Sequence, residues 1–292
     1  MVTAQPASRR FHAVRSPHLF VASLLITLLL AVSACTGTNS GGSQPITLNV
    51  FAAASLQGAF TKIGSQFHTA HSNVTVSFNF GGSDTLAGQI TQGAPADVFA
   101  SANVAQMNVV VKGGQISSSA VQVFAHNRLV VIVPKNNPAN IQTLQDLAKP
   151  GIKIVLAAKT VPVGGYALTF LSKASADPSF SASYQANVLK NVVSYETDVK
   201  SVLSKIALGE GDAGIVYTTD AATEPNSVTT IAIPDAFNVI ATYPIAPLKN
   251  SKQSSTAQQF IAYVMSSDGQ NVLASYGFIA ASQGPQYTPP AS

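Results

Sequence analysis

The chain has 292 residues, 46% hydrophobic and 10% charged, with a formal net charge of +4 and one cysteine. That length supplies core enough for one large or two medium domains, and a lone cysteine has no partner for an internal disulfide. Three of the 16 basic residues, Arg9, Arg10 and Arg15, precede Cys35 and no acidic residue does; the remainder carries 13 basic against 12 acidic side chains and lacks the electrostatic footprint of nucleic-acid binding.

Those arginines lead into an apolar run from Leu19 to Ala34, about 16 residues and short of the roughly 20 that span a bilayer. The run ends in Val32-Ser33-Ala34-Cys35, with small residues suited to signal cleavage, so residues 1–34 are expected to be an export signal. Val-Ser-Ala-Cys resembles the lipobox of bacterial lipoproteins, which implies that Cys35 carries a lipid anchor on the outer face of the cytoplasmic membrane. Residues 35–45, small, polar and glycine-rich, form a flexible tether.

The fold begins at Ile46. Ile46, Leu48 and Val50 alternate with polar residues, and Leu56, Phe60, Ile63 and Phe67 then recur at helical spacing. This predicts a strand entering a helix with Ser55 as N-cap, a junction whose unpaired amide protons suit an anion. Val74 to Phe80 followed by Gly81, Gly82 and Ser83 repeats the arrangement, with Ser83 at the cap and a short helix over Thr85 to Ile90. Further strands are expected at Ala96–Ala100, Val121–Phe124, Leu129–Val133, Ile152–Leu156, Gly214–Tyr217, Thr229–Ile233 and Val239–Leu248; LVVIV at 129–133 has the composition of a buried parallel strand. Helices are expected at Ala102–Val111, Leu144–Leu147, Gly165–Ala174, Tyr184–Val192, Asp198–Leu208, Thr256–Met265 and Gln270–Tyr276. From Ser282 the polar, proline-containing tail is expected to be disordered.

Alternation of strands and helices defines an α/β class. The grouping of apolar runs predicts two lobes, each a mainly parallel sheet flanked by helices: residues 46–125 with 237–281 in the first, 126–236 in the second, and a ligand cleft between them. No hydrolase, zinc-protease, Walker or dinucleotide motif occurs after the signal. His68 and His71 are spaced as a helix face, His126 stands alone near the crossover, and Asp97 is expected to hold a turn or cap. Arg128 is the one arginine after Cys35, so an anion site here needs other donors.

Three stretches, FAAASL at 51–56, GGSDTLAGQITQGAPADVFASAN at 81–103 and AGIVYTTDA at 213–221, closely resemble the molybdate-binding components of bacterial ABC importers. VPVGGYA at 161–167 and ETDVKSVL at 196–203 match less tightly but in the family's order. The resemblance implies a type II periplasmic-binding-protein clamshell that holds molybdate or tungstate and delivers it to an ABC permease, as a monomer without a cofactor. It further implies hydroxyl and amide donation from Ser55 and Ser83, main-chain donation from Val163 and Val199, and a phenolic hydroxyl from Tyr217. Gly81 and Gly82 replace residues that are often Ser or Ala, an exchange expected to loosen the loop bearing Ser83. A donor-only site suits a fully ionised dianion, which has no proton to donate and only accepts. The competing readings are a binder of sulfate, thiosulfate or another small oxyanion, a secreted serine hydrolase built on Ser55 or Ser83, and a purely structural surface lipoprotein.

Overall fold

The computed structural model describes residues 44–290. The expected export signal, Cys35 and most of the tether lie outside the described residues. β1 (Ile46–Ala53) runs through a 3-10 turn (Ala54–Leu56) into α1 (Gln57–Ala70), and β2 (Val74–Gly81) turns at Gly82 into α2 (Ser83–Thr91). β3 (Val98–Ala100) and α3 (Val104–Lys112) follow, then β4 (Gln122–Asn127), which passes into β5 (Leu129–Pro134) with only Arg128 between. Next come β6 (Ile154–Ala157), α4 (Pro162–Ser175), α5 (Tyr184–Lys190), β7 (Val192–Glu196), α6 (Val199–Ala207), β8 (Ala213–Tyr217), α7 (Thr218–Ala221) and β9 (Val228–Ala232). β10 (Ala241–Pro247), α8 (Ser254–Met265), α9 (Ser267–Ser275) and β11 (Ile279–Ala280) close the fold.

The strands form two sheets, six in the order β11-β4-β10-β3-β1-β2 and five in the order β7-β6-β8-β5-β9. Each sheet with its helices is one lobe of an α/β, two-lobed fold. The chain crosses at Arg128 and returns between β9 and β10, so the first lobe is assembled from both ends of the described chain. α1 packs on α8 through aromatic edges, Phe67 and Phe60 meeting Phe260 with ring centroids 5.4 and 6.1 Å apart.

Several expectations are corrected. Both sheets are mixed rather than mainly parallel: β1 lies parallel to β2 and β3, and β6 parallel to β7 and β8, but β4, β5, β9, β10 and β11 pair antiparallel. The LVVIV run, fully buried as expected, is antiparallel to both neighbours. Burial on both faces dictates a continuous apolar run whichever way the neighbours point, so composition carries no direction. β7 was expected to be helix end at Val192. It is an edge strand with no fully buried residue, Val193 and Tyr195 being 58% and 55% exposed, and so lacks an apolar signal of its own. β4 extends to Asn127, three residues past the expected strand end at Phe124 and two past the expected lobe boundary at 125.

The segment from Ser282 to residue 290, expected to be disordered, lies against the first lobe. Ala281–Gln283 forms a 3-10 turn, His126 Nε2 is 3.2 Å from Ala281 O, and Tyr287 Oη donates to Asn108 Oδ1 at 2.8 Å. Polar composition concealed one aromatic anchor, because Tyr287 covers the buried cluster of Phe99, Met107 and Val110.

Candidate anion site

The parallel parts of the two sheets place the site. Ala53 and Gly81 are paired neighbours at the ends of β1 and β2, so Ser55 and Ser83, two residues beyond each, emerge side by side. In the other sheet Ala157 pairs with Glu196 at the ends of β6 and β7, which brings the starts of α4 and α6 together, while Tyr217 ends β8 on the other side of β6. Ligand crevices outside the carboxyl ends of parallel strands are a general property of such sheets. Ser55, Ser83, Val163, Val199 and Tyr217 all line one cavity of about 10 Å³. A single water needs about 10–15 Å³ on the same measure, so this space suits a small ion rather than a drug-sized ligand.

Neither serine is the N-cap expected of it. Ser55 lies inside the 3-10 turn, where the tighter winding directs its Oγ to Tyr243 Oη, 3.0 Å away. Ser83 is the first residue of α2, Gly82 occupies the cap, and Ser83 Oγ accepts from Ala102 N–H at 3.0 Å. Both side chains are buried. Gly82 permits a close approach of the two lobes. Its φ of −59° is ordinary, but a Cβ there would stand 2.3 Å from Thr197 O of the other lobe.

The second lobe contributes helix starts. α4 begins with Pro162, which has no N–H, and its cap residue Val161 makes no side-chain bond, so Val163 carries the first amide proton of an uncapped helix. α4 approaches the end of β6 so closely that a Cβ on Gly164 would meet Ala158 O at 2.1 Å. At α6 the cap residue Asp198 accepts from Ser201 N–H at 3.0 Å and Ser201 Oγ at 2.9 Å; its carboxylate is thereby turned onto its own helix, and Val199 N–H lies outside the capping bond.

Tyr217 is 1% exposed, and its hydroxyl has no hydrogen-bond partner. A buried, unpaired O–H costs about 1–3 kcal/mol, which a ligand accepting that proton recovers. Burial chiefly, with the phenols of Tyr243 and Tyr166 and the Asp220 carboxylate nearby, pushes Tyr217 well above the ordinary tyrosine range, so it remains a donor. No lysine or arginine lines the cavity, and Asp198 is its one charged residue.

Contacts across the cleft bridge the two lobes beside this space. Thr160 Oγ1 donates to Asp84 Oδ2 at 2.7 Å, and Gln106 Nε2 donates to Thr160 O at 3.1 Å. Sequence reasoning missed Thr160, Asp84, Gln106, Tyr243 and Asn127; only Asp84 lies in a quoted stretch, where no role was expected of it, and each acquires its position from strand pairing or lobe contact. The expected candidates elsewhere are structural in their contacts. Asp97 accepts from Asn49 N–H and Ser251 Oγ at 2.8 and 2.6 Å, His68 Nδ1 lies 2.6 Å from Val74 O, and His71 packs on Phe67.

Two α/β lobes joined by two crossings, with a small cavity at facing strand ends, define a solute-binding protein of the clamshell type. The chain belongs to the family of bacterial extracellular solute-binding proteins, whose model matches residues 48–279. It is similar to the molybdate-binding protein ModA of Mycobacterium tuberculosis, with 39% identity over 87% of this chain and 95% of that protein. It also resembles the putative ABC transporter substrate-binding lipoprotein YvgL of Bacillus subtilis, 32% identical over 90% of this chain and 97% of that one. Among solved structures, the substrate-binding domain of a putative molybdenum ABC transporter from Clostridium difficile superposes with a TM-score of 0.60 at 29% identity, covering 80% of this chain and 99% of that one.

Proposed function

We propose that this protein captures molybdate, or tungstate, outside the cell and hands it to an ABC permease. Ser55 and Ser83 donate from the first lobe; Val163 and Val199 amides and the Tyr217 hydroxyl donate from the second. The observation that carries the reading is the buried, unpaired hydroxyl of Tyr217, a residue that ends β8 and lines the same small cavity as both serines. A dianion without protons is held by donors alone, and two helix starts add favourable dipoles without the desolvation penalty of a buried lysine or arginine. The 39% identical relative named a molybdate-binding protein supports the choice of anion.

The proposed state is a monomeric binder, not an enzyme, with no resident cofactor. In support, the hydrogen-bond partners of Ser55 and Ser83 are a phenol and a main-chain amide, neither of which serves as a general base. Export followed by lipid attachment at Cys35 on the outer face of the cytoplasmic membrane is supported by the lipobox and by the relative named a lipoprotein. Calorimetric titration with molybdate, tungstate, sulfate and phosphate tests the reading. Tight binding of a metal oxyanion and little response to the other two is expected; heat from sulfate alone would move the protein to a different anion, and heat from none would remove the site.

A further inference from the structure

A serine hydroxyl can donate or accept, and an anion that carries no proton is served only by donation. At Ser83 the main chain decides, because Ala102 N–H already donates to its Oγ and turns the serine's own hydrogen elsewhere. Ser55 receives no amide proton. Its Oγ lies 3.0 Å from Tyr243 Oη, on a side chain that is fully buried in β10. Asn127 Nδ2 donates to the same phenol oxygen at 3.5 Å. The asparagine cannot be turned over: Oδ1 accepts from Arg128 N–H at 2.9 Å and Thr218 Oγ1 at 3.0 Å, while Nδ2 donates to Thr219 Oγ1 at 2.8 Å. A main-chain N–H has no acceptor to offer, so Oδ1 faces Arg128 and the hydrogens of Nδ2 face Tyr243. Among the described residues, Ser55 Oγ is then the acceptor left within hydrogen-bond distance for the Tyr243 proton. Burial above all, with Asp220 nearby, pushes this phenol well above its ordinary range, and the proton stays on it.

We propose that Tyr243 is a positioning residue for anion selectivity: by donating to Ser55 Oγ it commits the Ser55 hydrogen to the cavity, and the site rejects tetrahedral oxyanions that carry a proton. The inference rests on the proposed anion site and deepens it. A hydrogen phosphate turned to Ser55 sets two hydrogens against each other, whereas a fully deprotonated dianion meets a donor there. Asn127, at the first crossing between lobes, fixes the direction of the whole chain of bonds.

Molybdate titration and displacement of bound molybdate by inorganic phosphate, at pH 6 and pH 8, test this on the protein and on Tyr243→Phe. The ring is retained and the donor lost, so Ser55 becomes free to accept. Molybdate affinity should fall about tenfold, the scale of one hydrogen bond, while phosphate loses little or gains, and the narrowing should be greater at pH 6. In a Ser55→Ala background Tyr243→Phe should change the ratio no further. Should Tyr243→Phe fail to fold, Asn127→Asp places an acceptor opposite the phenol and is expected to narrow the ratio in the same way. An unchanged ratio, equal weakening of both anions, or the same shift without Ser55 overturns the role of Tyr243. Absence of molybdate binding in the parent protein instead overturns the underlying site.

Discussion

The wall of the cavity that carries Ser55 and Ser83 ties its hydroxyls to protein partners, Tyr243 and the Ala102 amide; the wall that carries Val163, Val199 and Tyr217 offers uncapped helix starts and a phenol with no partner. Polar groups behind the two walls differ in the same sense. Asp97, buried in the first lobe, accepts two hydrogen bonds, whereas Asp220, fully buried in the second, has only the Lys200 ammonium at 3.0 Å. Ser55, Ser83 and Asp97 are thus paired within the fold, while the Tyr217 hydroxyl retains unspent hydrogen-bonding capacity. A binder gains from that division, because donors left unpaired by the fold are recovered by the ligand.

The largest expected effect tests the unsatisfied half. Burial pushes the Asp220 carboxyl up to about 6, against the opposing pull of Lys200. A raised carboxyl binds its proton more tightly in the folded chain, so its contribution is greatest below the ordinary carboxylate range and is lost as pH rises through about 6. The shift corresponds to about 3 kcal/mol. Asp220→Asn should therefore gain stability relative to the parent by that order between pH 4 and pH 7 in urea unfolding; parallel profiles would show that Asp220 is as well satisfied as Asp97.

Next in size is a pair of substitutions with opposite signatures. Ser83→Ala and Tyr217→Phe should each weaken anion binding by about 1.5–3 kcal/mol, the range for hydrogen bonds to charged groups. Without the anion they should diverge. Ser83→Ala strands the buried Ala102 N–H and should lower stability by about 1–3 kcal/mol, while Tyr217→Phe removes an already stranded hydroxyl and should leave stability equal or higher. Thermal unfolding of the anion-free proteins decides, and equal shifts would erase the distinction between the walls.

Gly82→Ala probes the approach of the lobes. Its Cβ would press on Thr197 O, an overpacking that typically costs about 1–3 kcal/mol and is expected in the anion affinity. Unaltered affinity would mean that binding does not need this contact. The smallest effect is expected from Thr160→Val, which deletes the hydroxyl bond to Asp84 and should cost about 0.5–1.5 kcal/mol, measured as faster anion release by stopped flow.

Much of this protein was legible in one dimension. Strand-to-helix junctions at Ser55 and Ser83 declare themselves through alternation that changes to helical spacing within a few residues, a local signal that survives without knowledge of neighbours. β7 escaped because an edge strand with both faces part exposed has no such signal, and the placement of residues 282–290 escaped because Tyr287 is a single anchor in a polar segment. The cap assignments failed by one or two residues, since a 3-10 turn at one junction and a glycine cap at the other are set by how closely the helix must approach its strand.

Sequence alone determined the α/β class, the near-neutral balance of charge after Cys35, and the family through ordered motifs from Ile46 to Ile279. Periodicity and residue chemistry are properties of adjacent positions, so they need no fold to be read. Tertiary structure alone decided strand direction, the meeting of five distant residues at one cavity, and the partner of each hydroxyl. Tyr243 is 188 positions from the serine it touches, and no local pattern encodes a hydrogen bond whose two ends are joined only when the six-stranded sheet has formed.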